Sequence, residues 1–222
     1  MEINIKNIIR SNRKSFCIEI DDSGEIILRI PKNAKNEEIK NFLFKHRNWI
    51  EKKLELVNNK VKYKEKKFTK KEKFLFLGKE YELEIVKEQT EPIIFKDKFL
   101  LSEKFLPNAK EVFIDWYKKE TYKIIYERVK FYLKLSNYKF NRIRITSANK
   151  RWGSCSPNGN LNFSYRLAMA LIEIIDYVVV HEIIHLVDKS HKKSFYEKVE
   201  KILPDYKERV KWLNENNYLL KI

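Results

Sequence analysis

Three of the four histidines in the chain fall within eleven residues, in His181-Glu182-Ile183-Ile184-His185 and again at His191. A helix repeats every 3.6 residues, so His181 and His185 project from one face a turn apart. Both imidazoles can then reach a single Zn2+ at about 2.0–2.1 Å. Glu182 stands next to the first ligand and can reach a water on the metal rather than the metal itself. Such a carboxylate takes the water's proton as it attacks a carbonyl and later passes it to the departing amine. Zinc lowers the water's pKa toward ~7 and polarises the carbonyl oxygen. The chemistry this pattern implies is metal-assisted hydrolysis of a peptide bond, with Glu182 as general base.

A catalytic zinc takes three protein ligands and keeps one position open. His191 follows His185 by six residues, the spacing of the long metzincin form of the motif, and is preferred as third ligand. Glu197 and Glu200 stay open as rivals, because a downstream glutamate serves in other zincins. Asp188 stands where metzincins carry glycine, and Asp tolerates the left-handed backbone that a sharp turn would need there. The flank argues against a chance motif on a solvated helix. Ile174-Ile175-Asp176-Tyr177-Val178-Val179-Val180 is almost continuously apolar, and a glutamate buried on such a helix costs several kcal/mol unless a site uses it.

The elements that must position these residues are legible from periodicity. The alternating stretches Ser15–Ile20 and Glu25–Ile30 flank Asp21-Asp22-Ser23-Gly24 and predict a β-hairpin. Apolar residues at three- and four-residue spacing predict one amphipathic helix from Asn36 to about Val57, with His46 as a packing or surface residue. Residues 60–73 hold eight lysines and predict a solvated connection or exposed basic strand. A second hairpin is predicted over Phe74–Val86, then an apolar segment at Ile93–Leu101. A long helix follows from Glu111 to about Leu135, then a strand at Arg142–Thr146. Arg151-Trp152-Gly153-Ser154-Cys155-Ser156 and Leu161–Tyr165 predict a hairpin whose second strand lies at a sheet edge, open to an extended substrate. The motif helix is predicted over Leu171–Val187, with further helices at Ser194–Ile202 and Asp205–Asn217.

Within this frame Arg151, or a backbone N–H near it, is a candidate to bind substrate or its oxyanion. Trp152 reads as a core residue, Gly153 as a backbone bend and Cys155 as a small buried hydrophobe rather than a ligand. Asp176 reads as a helix-start residue or one that orients a ligand histidine.

Composition bounds the partners. A length of 222 residues with 43% hydrophobic content needs no staples, and Cys17 and Cys155 lie far apart in unrelated contexts. Reduced thiols and a cytoplasmic location are expected. Met1–Arg10 alternates apolar and polar residues and no run of eighteen apolar residues occurs, so neither a signal peptide nor a membrane span is expected. The net charge of +16 favours polyanions, including nucleic acid bound through a basic surface. Most of that charge is lysine, however, whereas arginine is the stronger mark of phosphate recognition.

The run from Arg151 to Leu213 resembles the YgjP-like zinc metallopeptidases, relatives of the WLM and SprT-like zincins. The resemblance is carried by Arg151–Ser156, the Gly159–Leu167 strand, Ile175–Glu182, His191 with Phe195, Pro204-Asp205-Tyr206 and Trp212-Leu213. Tyr165 stands where many members carry tryptophan. The resemblance implies His181, His185 and His191 as zinc ligands and Glu182 as catalytic base. The expected architecture is α+β: the residue pattern, which changes after Pro107, gives a β-rich part with one helix, residues 1–108, and the resemblance implies that residues 109–222 form a zincin-like domain. Some SprT-like and WLM proteins act on proteins attached to DNA, which together with the charge raises nucleic-acid-associated proteins as substrates. Two other readings differ in class: a nucleic-acid or partner-binding module with a structural or weakly active zinc site, and a zinc amidase acting on a small molecule.

Overall fold

The computed structural model describes residues 4–21, 23–59, 65–134 and 138–222, and these form two compact units, Met1–Lys64 and Glu65–Ile222. The first unit is a three-stranded sheet with two helices. Strand β1 (Ile5–Ser11) runs parallel to β3 (Ile26–Pro31), and β2 (Cys17–Ile20) pairs antiparallel on its other side. Alternation decides which face is buried: Ile26, Leu28 and Ile30 point inward, and Leu28 and Ile30 join Ile39 in the core. The expected hairpin is therefore β2–β3, although Asp22 of its turn lies outside the described residues. The single helix expected from Asn36 to Val57 is instead two, α1 (Asn36–Lys45) and α2 (Arg47–Asn59). His46 ends α1, and its ring donates from Nδ1 to the Phe42 carbonyl at 2.8 Å. A side chain bonded back to its own helix in this way takes a cap position and ends the turn.

The second unit begins with a four-stranded sheet: β4 (Lys73–Phe76), β5 (Lys79–Val86), β6 (Ile93–Phe95) and β7 (Phe99–Ser102), in the order β4-β5-β7-β6. Residues 60–64 of the lysine-rich run lie outside the described residues. The backbone N–H groups of Lys67 and Thr69 donate to the Glu72 carboxylate. The sheet lies on α3 (Ala109–Leu133) through an aromatic layer in which Phe74 stacks on Phe113 at 4.3 Å and Phe99 meets Trp116 edge-on at 5.0 Å. Buried Tyr117 donates its hydroxyl to the Leu75 carbonyl. This packing puts the boundary between compact units at Lys64/Glu65, where the sequence reading placed a boundary after residue 108. The end expected for α3 at Leu135 lies outside the described residues.

A second sheet carries β8 (Arg142–Thr146), β9 (Gly153–Cys155) and β10 (Asn160–Ser164) in the order β8-β10-β9. Here the sequence reading needs correcting. The Leu161–Tyr165 stretch is not an edge strand: β10 is central, parallel to β8 and antiparallel to β9, and Tyr165 already belongs to a 3-10 turn. Its residues Leu161 and Phe163 are fully buried, which only a strand covered on both edges and one face achieves readily.

Three helices complete the unit: α4 (Ile172–Ile184), α5 (Lys193–Ile202) and α6 (Tyr206–Asn216). Helix α4 buries Ile174, Ile175, Val178, Val179, Val180, Ile183 and Ile184, and such all-round apolarity is the mark of a helix enclosed by neighbours. Its start is fixed by the β4–β5 turn. Leu77 and Gly78 both adopt left-handed φ (48° and 77°), as a tight two-residue hairpin requires, and their N–H groups donate to the carbonyls of Ala168 and Met169. A Cβ on Gly78 would come within 2.3 Å of the Leu171 side chain, so glycine is needed there for contact as well as for conformation.

Candidate metal centre

Helix α4 ends at Ile184, and His185 occupies its C-cap with helical dihedrals, so His181 and His185 keep the one-turn spacing expected of them. The chain then turns, the N–H of Asp188 reaching back to the Ile184 carbonyl at 2.9 Å, and returns His191 to the same point. The Nε2 atoms of His181, His185 and His191 form a triangle with edges of 3.1–3.2 Å. Among the described residues these three histidines are the group whose geometry could hold a metal ion. Glu197 and Glu200 are directed elsewhere, toward Lys193 and Lys207.

The donor set fits a metal. Three tetrahedral nitrogen ligands at about 2.0–2.1 Å stand about 3.3–3.4 Å apart, close to the edges found. His185 donates from Nδ1 to the Asp188 carbonyl at 2.9 Å, which fixes its tautomer and leaves Nε2 as a lone pair. Tyr177, one turn before His181, brings its hydroxyl to 3.5 Å from His181 Nδ1. Burial, followed by the neighbouring imidazoles, pushes His181 down to about 4, and burial likewise lowers His185. Burial thus favours the neutral form of both rings, the form in which imidazole binds metal. Fully buried Phe195 underlies all three, its ring centre 4.5–5.2 Å from theirs.

Glu182 is 4% exposed, and its Oε2 has no hydrogen-bond partner among the described residues. Burial pushes its carboxyl up to about 8, against the smaller opposing pull of Lys189 and Arg151. Its neighbour on the other side is β9. A Cβ on Gly153 would lie 2.6 Å from Glu182 Oε1, so Gly153 is the close approach that admits the carboxylate, rather than the bend the sequence suggested. β9, with no strand beyond it among the described residues, is the sheet edge beside Glu182.

The turn that delivers His191 differs from the one expected. Asp188 is not among the residues of left-handed φ; its role is carried by its side chain. The carboxylate accepts from Ser190 N (3.1 Å), Ser190 Oγ (2.7 Å), Ser194 Oγ (3.3 Å) and Lys198 Nζ (2.7 Å). The Lys198 ammonium, with the Ser190 hydroxyl next, holds that carboxyl well below the usual range. Lys189 Nζ lies 3.2 Å from both Cys155 Sγ and the Ser156 carbonyl, strapping the loop to β9.

Asp176 lies inside α4 rather than at its start and touches no ligand; it forms a bidentate pair with Arg128 of α3 at 2.5 and 2.7 Å. Trp152 is packed as expected, with the Arg166 guanidinium 4.4 Å over its ring. Buried Arg166 donates to the carbonyls of Asn149, Asn217 and Leu220, tying the end of the chain to this strand. Arg151 is exposed at the mouth of a recess beside β9. Phe195, Asp188 and Gly153 are the site residues whose roles sequence reasoning missed. The four-residue step from His191 to Phe195 was the available signal for the first.

A mixed α+β chain in which a helix, its C-cap and the following turn bring three imidazoles together beside a buried carboxylate residue has the donor set to hold a metal ion. The family model described as YgjP-like, metallopeptidase domain, matches residues 14–216, and the chain belongs to that family. The match reaches well beyond the Arg151–Leu213 run that first suggested it. No curated protein and no solved structure matches the chain. A metallopeptidase domain implies peptide or protein substrates, and no described helix is long and apolar enough to cross a membrane.

Proposed function

We propose that the chain is a zinc-dependent peptidase in which His181, His185 and His191 hold the metal and Glu182 is the general base. The observation that carries this is a buried carboxylate whose Oε2 has no hydrogen-bond partner among the described residues, on the residue next to the first of three imidazoles whose Nε2 atoms stand 3.1–3.2 Å apart, close to the separation of ligands on one tetrahedral metal. A bound zinc supplies Lewis acidity, lowering the pKa of water and polarising the scissile carbonyl. Glu182 receives the proton of the attacking water on Oε2 and delivers it to the leaving nitrogen. The edge of β9 gives an extended peptide a backbone to pair with, replacing the Leu161–Tyr165 edge expected from sequence. Arg151 stands at that edge as a substrate-binding residue.

A binding module with a structural zinc needs ligands but no base. The unpartnered Glu182 speaks against it, because a buried carboxylate without partner or task costs several kcal/mol. An edge strand open to solvent also favours an extended peptide over a small amide held in a closed pocket. The two free cysteines suit the reducing cytoplasm.

The test pairs zinc content with cleavage of an unfolded protein such as casein, in wild type and Glu182→Gln. Equal zinc in both, with the variant slower by about 100- to 10,000-fold, is the expected result. Absence of bound metal after zinc resupply would sink the reading.

A further inference from the structure

The two faces of the β8–β10–β9 sheet differ in kind. Ile143, Ile145, Leu161 and Phe163 pack into the core, while Arg144, Asn162 and Ser154 line up across the three strands on the opposite face. There they join Arg151, Trp152 and Thr146 around a recess of about 250 Å3 whose lining contains no carboxylate. Arg144 and Arg151 are exposed and form no ion pair among the described residues, whereas Arg29, Arg47, Arg128 and Arg209 each have a carboxylate partner. The chain supplies no internal counter-ion nearby in sequence, since no Asp or Glu occurs between Glu127 and Glu173.

Gly153 lines this recess and also touches Glu182, so the recess is one strand away from the base. A peptide extended along β9 projects alternate side chains to opposite faces, one set toward Glu182 and the next toward the arginines. We infer that the recess is a specificity subsite in which Arg144 and Arg151 bind a carboxylate of the peptide substrate, either an acidic side chain or the C-terminus. The planar guanidinium matches a carboxylate by paired N–H donors, and Asn162 and Ser154 add neutral hydrogen-bonding capacity. A nucleic-acid strand fits this face less well. Of its two lining aromatics, Trp152 carries Arg166 over its ring and Phe163 is fully buried, so neither offers an exposed platform on which bases could stack.

The inference rests on the peptidase reading for its location, so its test measures binding separately from cleavage. Zinc-loaded Glu182→Gln is titrated into fluorescein-labelled degenerate decapeptides by anisotropy. One pool carries Asp and Glu at alternate positions and its match carries Asn and Gln, each with free or amidated C-terminus. The acidic pool should bind about tenfold tighter than its match, from a charge-assisted contact worth at least 1.4 kcal/mol. That preference should disappear when Arg144→Gln and Arg151→Gln are added, and persist with Arg142→Gln, on the same face outside the recess. A preference seen only for the free C-terminus of the neutral pool, and lost in the same double variant, assigns the carboxylate to the chain end. Equal binding of all pools overturns the inference, as does a preference that survives the double substitution. Tighter, Arg144- and Arg151-dependent binding of a single-stranded oligonucleotide of about twelve nucleotides also overturns it and gives the recess to phosphate. Failure of the wild type to cleave any pool would count against the peptidase reading alone.

Discussion

Helix α4 contributes His181 and His185 from a rod whose side chains are almost all buried, whereas residues 186–192 contribute His191 from an irregular, polar stretch. Hydrophobic packing holds the first pair: the helix cannot rotate without exposing Ile, Val or both. A hydrogen-bonded hub holds the third, with Asp188 collecting Ser190, Ser194 and Lys198. Damage to the helix should therefore appear as lost stability, and damage to the loop as lost metal affinity in a chain that still folds.

The largest effect on this contrast is expected from Ile183→Ala. It removes a side chain 1% exposed and should cost about 2–5 kcal/mol in denaturant unfolding, the residual folded fraction keeping its zinc affinity. Next comes Arg128→Ala, which leaves the nearly buried Asp176 carboxylate without its ion-pair partner, with only the Tyr132 hydroxyl still bonded to it; about 2–3 kcal/mol is expected, again with zinc affinity preserved. Asp188→Asn lies at the other pole. It weakens the contact with Lys198 and should lower zinc affinity about 10- to 100-fold in a competitive chelator titration, with the unfolding midpoint little changed. If this variant instead unfolds easily and binds zinc normally, the loop is structural and the contrast fails.

Much of this was legible in the sequence. The His181–His185 spacing, the apolar run before it and the third histidine follow from helical periodicity and from a chain poor in histidine. The hairpins β2–β3, β4–β5 and β9–β10 followed from alternation and turn residues. Strand order did not, because alternation reports which face is buried and says nothing of which neighbour lies beside an edge; β10 thus read as an edge and proved central. Gly153 was opaque for a related reason. Its constraint comes from a carboxylate 29 residues away in sequence, and no local pattern records a tertiary approach. Asp188 was assigned to the right turn through the wrong atoms, since sequence offered its backbone tolerance and not the partners of its side chain. The break at His46 was hidden because both helices share one apolar periodicity across it.

The Arg166 guanidinium is satisfied by carbonyls as late as Asn217 and Leu220, and its stack with Trp152 supports the strand that meets Glu182. On a ribosome, where the N-terminal portion emerges first, that buried charge remains without these acceptors until Asn217 and Leu220 have been made. A nascent chain that already contains all three histidines therefore still lacks the fastening that seats the strand beside Glu182.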